Sequence, residues 1–172
     1  MYDSPVADSE QGDLEQAQPS RPMRAVAFQL AQLGTHAAQR FSERIAEIGL
    51  TPPEAGILRL IAANPGLSQR ALAAELGVVP SRVVALIDPL DRKGLIERRR
   101  SAADRRNHEL HLTPEAGRLL ARLATVAMAH EAALTAPLTD AEYLQFADLL
   151  TRLAAAGDLT PGVHPGYRDL PG

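Results

Sequence analysis

The stretch LGVVPSRVVALIDPLDRKGLIERRRSAADRR, residues 76–106, decides the fold. Gly77 ends one short helical segment. After the spacer Val78-Val79, Pro80-Ser81 opens a second segment, in which Val83, Leu86, Ile87 and Leu90 recur at helical spacing until Lys93-Gly94 closes it. Leu95 to Arg100 has strand character, and Ser101-Ala102-Ala103-Asp104 with the arginines after it reads as a turn. Asn107 to Thr113 then supplies a returning strand. Two helices joined by a tight turn and followed at once by a basic hairpin make a helix-turn-helix with a β wing. Mechanically, the second helix suits a major groove, and the hairpin tip suits phosphates or the adjacent minor groove.

Upstream of this stretch, Ser68 caps a helix through Leu76, with Ala71, Leu72 and Leu76 facing inward. Before it, Thr51 with Pro52 and Glu54 offers a cap, a proline in the first turn and a capping-box glutamate, predicting a helix to about Ala63 that Asn64-Pro65-Gly66 stops. From Pro22 to Ile48, Val26, Leu30, Leu33, Ala37, Phe41, Ile45 and Ile48 form one apolar stripe on a long helix. Downstream, Thr113-Pro114 opens another long helix in which Ala116, Leu119, Leu123, Val126, His130 and Ala133 repeat close to a heptad seam. Thr139 and Glu142 form a second capping box for a last helix carrying Tyr143, Phe146, Leu150 and Leu153. The fold expected is mostly α: four helices, a two-stranded wing, then two helices.

Both ends read differently. Residues 1–21 lack apolar periodicity and form an acidic arm expected to be disordered, because it buries too little to offset the entropy of ordering. Residues 157–172, rich in Gly and Pro, are expected to be a loose tail. The folded body is therefore residues 22–156. Its helix-turn-helix and wing occupy 50–113, flanked by the helices of 22–48 and 114–156.

With 45% hydrophobic but only 3% aromatic residues, the interior has to be meshed from small and medium aliphatic side chains. The lack of cysteine removes disulfides, thiolate metal sites and thiol redox sensing. No apolar run has the length of a membrane span, and nothing resembles a signal peptide, so a cytoplasmic protein is expected with no membrane partner. The net charge of −3 hides an asymmetry: residues 1–20 hold five acids and no Lys or Arg, which leaves +2 for the rest. Between Arg92 and Arg106, seven bases face two acids, Glu97 and Asp104. Such focused positive charge points to a polyanionic partner.

Order and spacing together carry a family resemblance. Leu76-Gly77, Pro80-Ser81-Arg82, Leu90-Asp91-Arg92-Lys93-Gly94-Leu95-Ile96-Glu97-Arg98, Asp104-Arg105-Arg106 and Leu112-Thr113 with Gly117 resemble the MarR family of bacterial transcriptional regulators. The flanking helices match its layout, so the resemblance spans roughly residues 22–156 and implies that 50–113 reads DNA while the helices of 22–48 and 114–156 pair two subunits. It implies a cytoplasmic homodimer bound to double-stranded DNA at a pseudo-palindromic operator, acting as a repressor or less often an activator. The family's recognition-helix contacts fall on Ser81, Arg82, Val84 and Ala85, and its wing contacts on Arg105 and Arg106; Arg98 and Asp104 match its wing-bracing pair. Two positions depart from the pattern. Val84 and Ala85 stand where relatives often carry Thr and Arg, which would leave base reading to Ser81 and Arg82 and shift specificity toward DNA shape. Pro89 removes a backbone hydrogen bond inside the recognition helix and is expected to disturb its last turn.

The resemblance also implies a small-molecule effector, such as an aromatic acid, bound between the dimer helices and the reading head. His36, Arg40 and Arg59 are the polar groups expected nearest that crevice, each with a surface or ion-pair role as the plainer alternative. His130 within the apolar stripe reads either as a ligand contact or pH sensor, or as a hydrogen-bonded interface residue. His108 and His111, three apart on a strand, lie on opposite faces and do not make a zinc site. No cofactor and no metal are expected. The competing readings are a winged-helix protein–protein docking module without DNA binding, against which the basic cluster argues, and an enzyme, for which no nucleophile–base pair, phosphate-cradling glycine loop or metal spacing is present.

Overall fold

The computed structural model describes residues 25–100 and 108–167. In chain order these form α1 (Val26–Ala46), α2 (Pro52–Ala63), α3 (Gln69–Leu76), α4 (Pro80–Arg92), β1 (Ile96–Arg100), β2 (His108–Leu112), α5 (Pro114–Thr135), α6 (Asp140–Ala156) and a short 3₁₀ turn, Pro165–Tyr167. The expected fold class, mostly helical with a two-stranded wing, is the one observed.

The caps were legible locally. The Thr51 side chain accepts from the Glu54 amide while the Glu54 carboxylate accepts from the Thr51 amide at 2.9 Å, and Thr139 with Glu142 repeats the arrangement on α6. The Thr139 amide and the Thr139 hydroxyl both donate to the Glu142 carboxylate, at 2.9 and 2.8 Å, and the amide bond first, then the hydroxyl, hold that carboxyl below its ordinary range. Ser68 and Thr113 accept from Ala71 and Ala116 to cap α3 and α5, each such cap stabilising its helix by about 1 kcal/mol. Thr113 also donates to the Gly94 carbonyl at 2.8 Å, joining the exit of the wing to the end of α4.

The core sits inside the reading head. Ile57, Leu58 and Ile61 of α2, Leu72 and Leu76 of α3, and Val83, Ile87 and Leu90 of α4 are buried together with Leu95, Ile96 and Leu110 of the wing base. Each such side chain contributes about 1.5–3 kcal/mol of apolar transfer. Ile45 anchors the end of α1 to this core, and Ala116, Leu119 and Leu123 anchor the start of α5. The strands pair antiparallel in the register Ile96↔Leu112 to Arg100↔His108. Leu110 also donates to the Leu67 carbonyl at 3.0 Å, stitching the loop before α3 onto the wing.

Away from the head, packing thins out. No residue of α6 is buried, and Tyr143, Leu144, Phe146, Leu149, Leu150 and Leu153 are exposed along it. Val26, Phe28 and Leu33 are likewise exposed on the first half of α1. No helix among the described residues is long and apolar enough to cross a membrane.

The tail departs from the expectation of a loose segment. Asp158, in the left-handed region at φ 52°, and Gly162 at φ 74° turn the chain after α6, and Tyr167 ends 5% exposed in the core. Composition pointed the other way because a single aromatic anchor outweighs the glycine and proline around it.

Candidate nucleic-acid interface

The recognition helix α4 is amphipathic by its sequence: Val83, Ile87 and Leu90 face the core, which turns Ser81, Val84 and Ala85 outward. Arg82 beside them is half-buried. Pro80 occupies the first turn, where a missing N–H costs nothing. The helix runs through Pro89 as far as Arg92. Pro89 therefore does not end the helix, and the next residue, Leu90, is a fully buried anchor that holds the turn in place.

Beyond α4, the wing strand carries its arginines on alternating faces. Arg98 is turned back to α4: its guanidinium pairs with the Asp88 carboxylate and, at 3.1 Å through Nε, with Asp91. Asp88 and Asp91, three apart, lie on one side of the helix, so one guanidinium comes within ion-pair reach of both carboxylates, hydrogen-bonding Asp88 while its buried Nε makes no hydrogen bond among the described residues. Arg99 pairs along its own strand with Glu97 at 2.9 Å. Arg92 and Arg100 are exposed and make no ion pair among the described residues. Lys93 closes the other end of α4, with Nζ 2.7 and 2.8 Å from the buried Glu54 carboxylate and 2.9 Å from the Gly49 carbonyl. Removing Lys93 would leave the buried Glu54 carboxylate without its counter-charge.

Much of the positive charge counted along the chain is therefore structural. Arg98, Arg99 and Lys93 are neutralised within the molecule by acids that lie partly outside the basic window. Asp104, Arg105 and Arg106, expected at the wing tip, lie outside the described residues. The Asp88–Asp91 clamp was not anticipated; its signal was an acidic i, i+3 pair on the helix preceding a run of three arginines.

The comparisons with known proteins are consistent. A family model described as MarR family matches residues 48–107, which span α2 to the wing. A putative transcriptional regulatory protein for the hcr operon of Thauera aromatica is 42% identical over 113 residues, covering 66% of this chain and 68% of that protein. The chain belongs to the MarR family. It is a DNA-binding transcriptional regulator, and its named relatives are regulators rather than enzymes. Among solved structures of the family, the repressor CouR bound to a 23-mer DNA duplex superposes with a TM-score of 0.66 at 32% identity, covering 86% of this chain and 99% of that one. PcaV of Streptomyces coelicolor in complex with its natural ligand gives 0.61 at 28% identity, covering 77% and 96%.

In this MarR-family chain, the residues expected around an effector do not converge. His36 is exposed, and Arg40 is exposed and paired with Glu43 at 3.2 Å. Arg59 alone of the three lines a cavity, one of about 530 Å³ between α1 and α2 that is walled also by Ala38, Phe41, Pro53 and Ala55. His130 is half-buried, its ring tilted against Phe41 at a centroid distance of 5.5 Å. His111 meets Glu109 at 3.2 Å, while His108 is exposed. The cavity residue that was missed is Tyr167. Its hydroxyl donates to the Pro53 carbonyl at 2.8 Å, and burial pushes its pKa up to about 12 against a smaller opposing pull from Arg59.

Proposed function

We propose that this regulator acts in the cytoplasm as a homodimer on a pseudo-palindromic operator, as a repressor released by a small-molecule effector such as an aromatic acid. The observation that carries this reading is the pairing of Arg98 with Asp88 and Asp91, which ties the wing strand to the recognition helix. A wing tied in that way presents groove-reading and phosphate-gripping elements in a preset relation, so little ordering entropy remains to be lost on binding. Ser81 and Arg82 read base edges, Val84 and Ala85 supply apolar contact, and Arg105 and Arg106 at the wing tip grip the backbone, with Asp104 orienting its neighbours. The unburied faces of α1 and α6 cover one another across the dimer. The repressor CouR bound to a DNA duplex, and the transcriptional regulator PcaV holding its natural ligand, support the two halves of the reading.

Fluorescence anisotropy with the upstream sequence of the chain's own gene and with random duplex tests it. Specific binding is expected, falling steeply with salt as phosphate contacts require. Arg106→Ala should weaken both duplexes alike, and Arg82→Ala should narrow the difference between them. Equal effects of the two variants would refute that division of labour. Absence of binding at low ionic strength would favour a protein-docking module instead.

A further inference from the structure

After Leu123 on α5, the next buried residue among those described is Tyr167, 5% exposed. Helix α6 is thus tied to the head by the segment that follows it and not by its own side chains, none of which is buried. That segment is a succession of closed turns. At the end of α6 the Leu159 amide donates to the Ala154 carbonyl at 3.1 Å, with Asp158 in the left-handed conformation, φ 52°, that such a helix close uses. The Val163 amide then donates to Thr160 and the Tyr167 amide to His164, both at 3.2 Å, and Val163 packs against the core on the way. The phenol seats on α2, where its hydroxyl donates to the Pro53 carbonyl at 2.8 Å. Gly56 keeps that seat open: a Cβ there would lie 1.9 Å from the hydroxyl oxygen and 3.1 Å from the ring. Alanine in mid-helix would favour α2 itself, so the glycine serves the tyrosine.

We propose that residues 157–167 are a clasp that fixes the angle between the dimer arm and the reading head, and that Tyr167 and Gly56 are positioning residues for recognising two half-sites at a set separation. The inference rests on the dimeric, DNA-binding reading above and adds what holds its geometry. An arm attached at one end swings about that point, and a second attachment removes the swing. The first attachment is the root of α5, where Ala116, Leu119 and Leu123 are buried in the head. Further along, His130 of α5 leans on Phe41 of α1 with ring centroids 5.5 Å apart. Tyr167 then joins the far end of α6 to α2, whose Ile57, Leu58 and Ile61 share one core with Val83 and Ile87 of the recognition helix. Half-sites one turn apart lie about 34–36 Å from each other on one face of the duplex. A single added base pair moves one of them by about 3.4 Å and turns it by about 35°. A swinging head follows that change and a clasped head does not, so spacing discrimination is the property the clasp governs.

The test is anisotropy of the full chain on three duplexes: its footprinted upstream site, that site with one base pair inserted between the half-sites, and a single half-site. The natural chain should lose about tenfold or more on the insertion, because both heads can no longer engage together. Tyr167→Ala should narrow that loss to about threefold or less and weaken the natural site about tenfold, with the single half-site unchanged. Gly56→Ala favours α2 itself while pushing the phenol off Pro53, and should do the same; it carries the test alone if circular dichroism shows Tyr167→Ala unfolded. Tyr167→Phe keeps the ring over Gly56 and should retain most of the discrimination. Seating is read separately by ultraviolet titration of the tyrosines: the phenol that ionises near 12 in the natural chain should return to about 10 in Gly56→Ala. Unchanged spacing discrimination in Tyr167→Ala and Gly56→Ala would overturn the clasp while leaving dimer and DNA binding in place. Equal losses on the single half-site and the two-site duplex would also overturn it, by marking Tyr167 as a support of the head's own fold. A natural chain that sediments as a monomer or ignores its upstream site would overturn the reading beneath the clasp, and the clasp with it.

Discussion

The reading head and α6 are built from the same aliphatic alphabet and meet opposite fates. In α4, Val83, Ile87 and Leu90 are wholly buried by neighbours from the same chain, whereas in α6 Leu149, Leu150 and Leu153 stay exposed although their spacing is equally helical. The head is therefore complete within one molecule. The apolar face of α6 finds no covering partner among the described residues, and under the proposed dimer a second copy supplies it. Amphipathic pattern marks a face to be covered and does not say by which chain.

The sharpest way to break this contrast is to place charge on each face in turn. Phe146→Asp with Leu150→Asp should abolish the dimer at micromolar concentration in sedimentation and lower operator affinity on the order of 100-fold or more, because the second half-site loses its tether. The head should still unfold cooperatively. Loss of the head's own fold in that variant would show that the two regions are not independent. Conversely, Ile87→Ala in the head should cost about 3 kcal/mol in urea denaturation, in line with large-to-small core changes, without altering the interface chemistry of α6.

A smaller effect sharpens the comparison within the head. Arg98→Ala frees the wing from α4 and leaves Asp88 and Asp91 facing DNA unneutralised; operator affinity should fall about tenfold with little change in unfolding midpoint, as both carboxylates are partly exposed. Arg98→Lys should restore little of it, since one ammonium cannot reproduce a fork. The smallest effect belongs to Arg100, exposed and without an ion pair among the described residues: Arg100→Ala should reduce the salt slope of DNA binding by about one counterion.

The tail sets a pH window of its own. Tyr167 docks as a neutral phenol with its pKa raised to about 12, so the docking contribution is fully present below the ordinary tyrosine value of about 10 and is lost as pH rises toward the raised value. Proteolytic accessibility of the tail should therefore be flat from neutral pH to about 10 and increase above it.

Periodicity, caps and punctuation determined the element order. Thr51 with Glu54, Ser68, Gly77, Gly94 and Thr113 each act on backbone groups within four residues, and that reach is what a linear reading can follow. The wing and recognition helix were legible for the same reason, together with the family pattern carried by residues 76–117. Partner choice over longer distance was decided only by the tertiary structure. Arg98 read as one member of a basic run and, by resemblance, as the bracing partner of Asp104, yet packing delivered it to Asp88 and Asp91; Gly56 carried no signal in the sequence, yet a tyrosine from the far end of the chain stands where its Cβ would be. Electrostatic and packing partners are selected by where helices come to rest, and a pattern confined to 3.6-residue and two-residue periods holds no record of that.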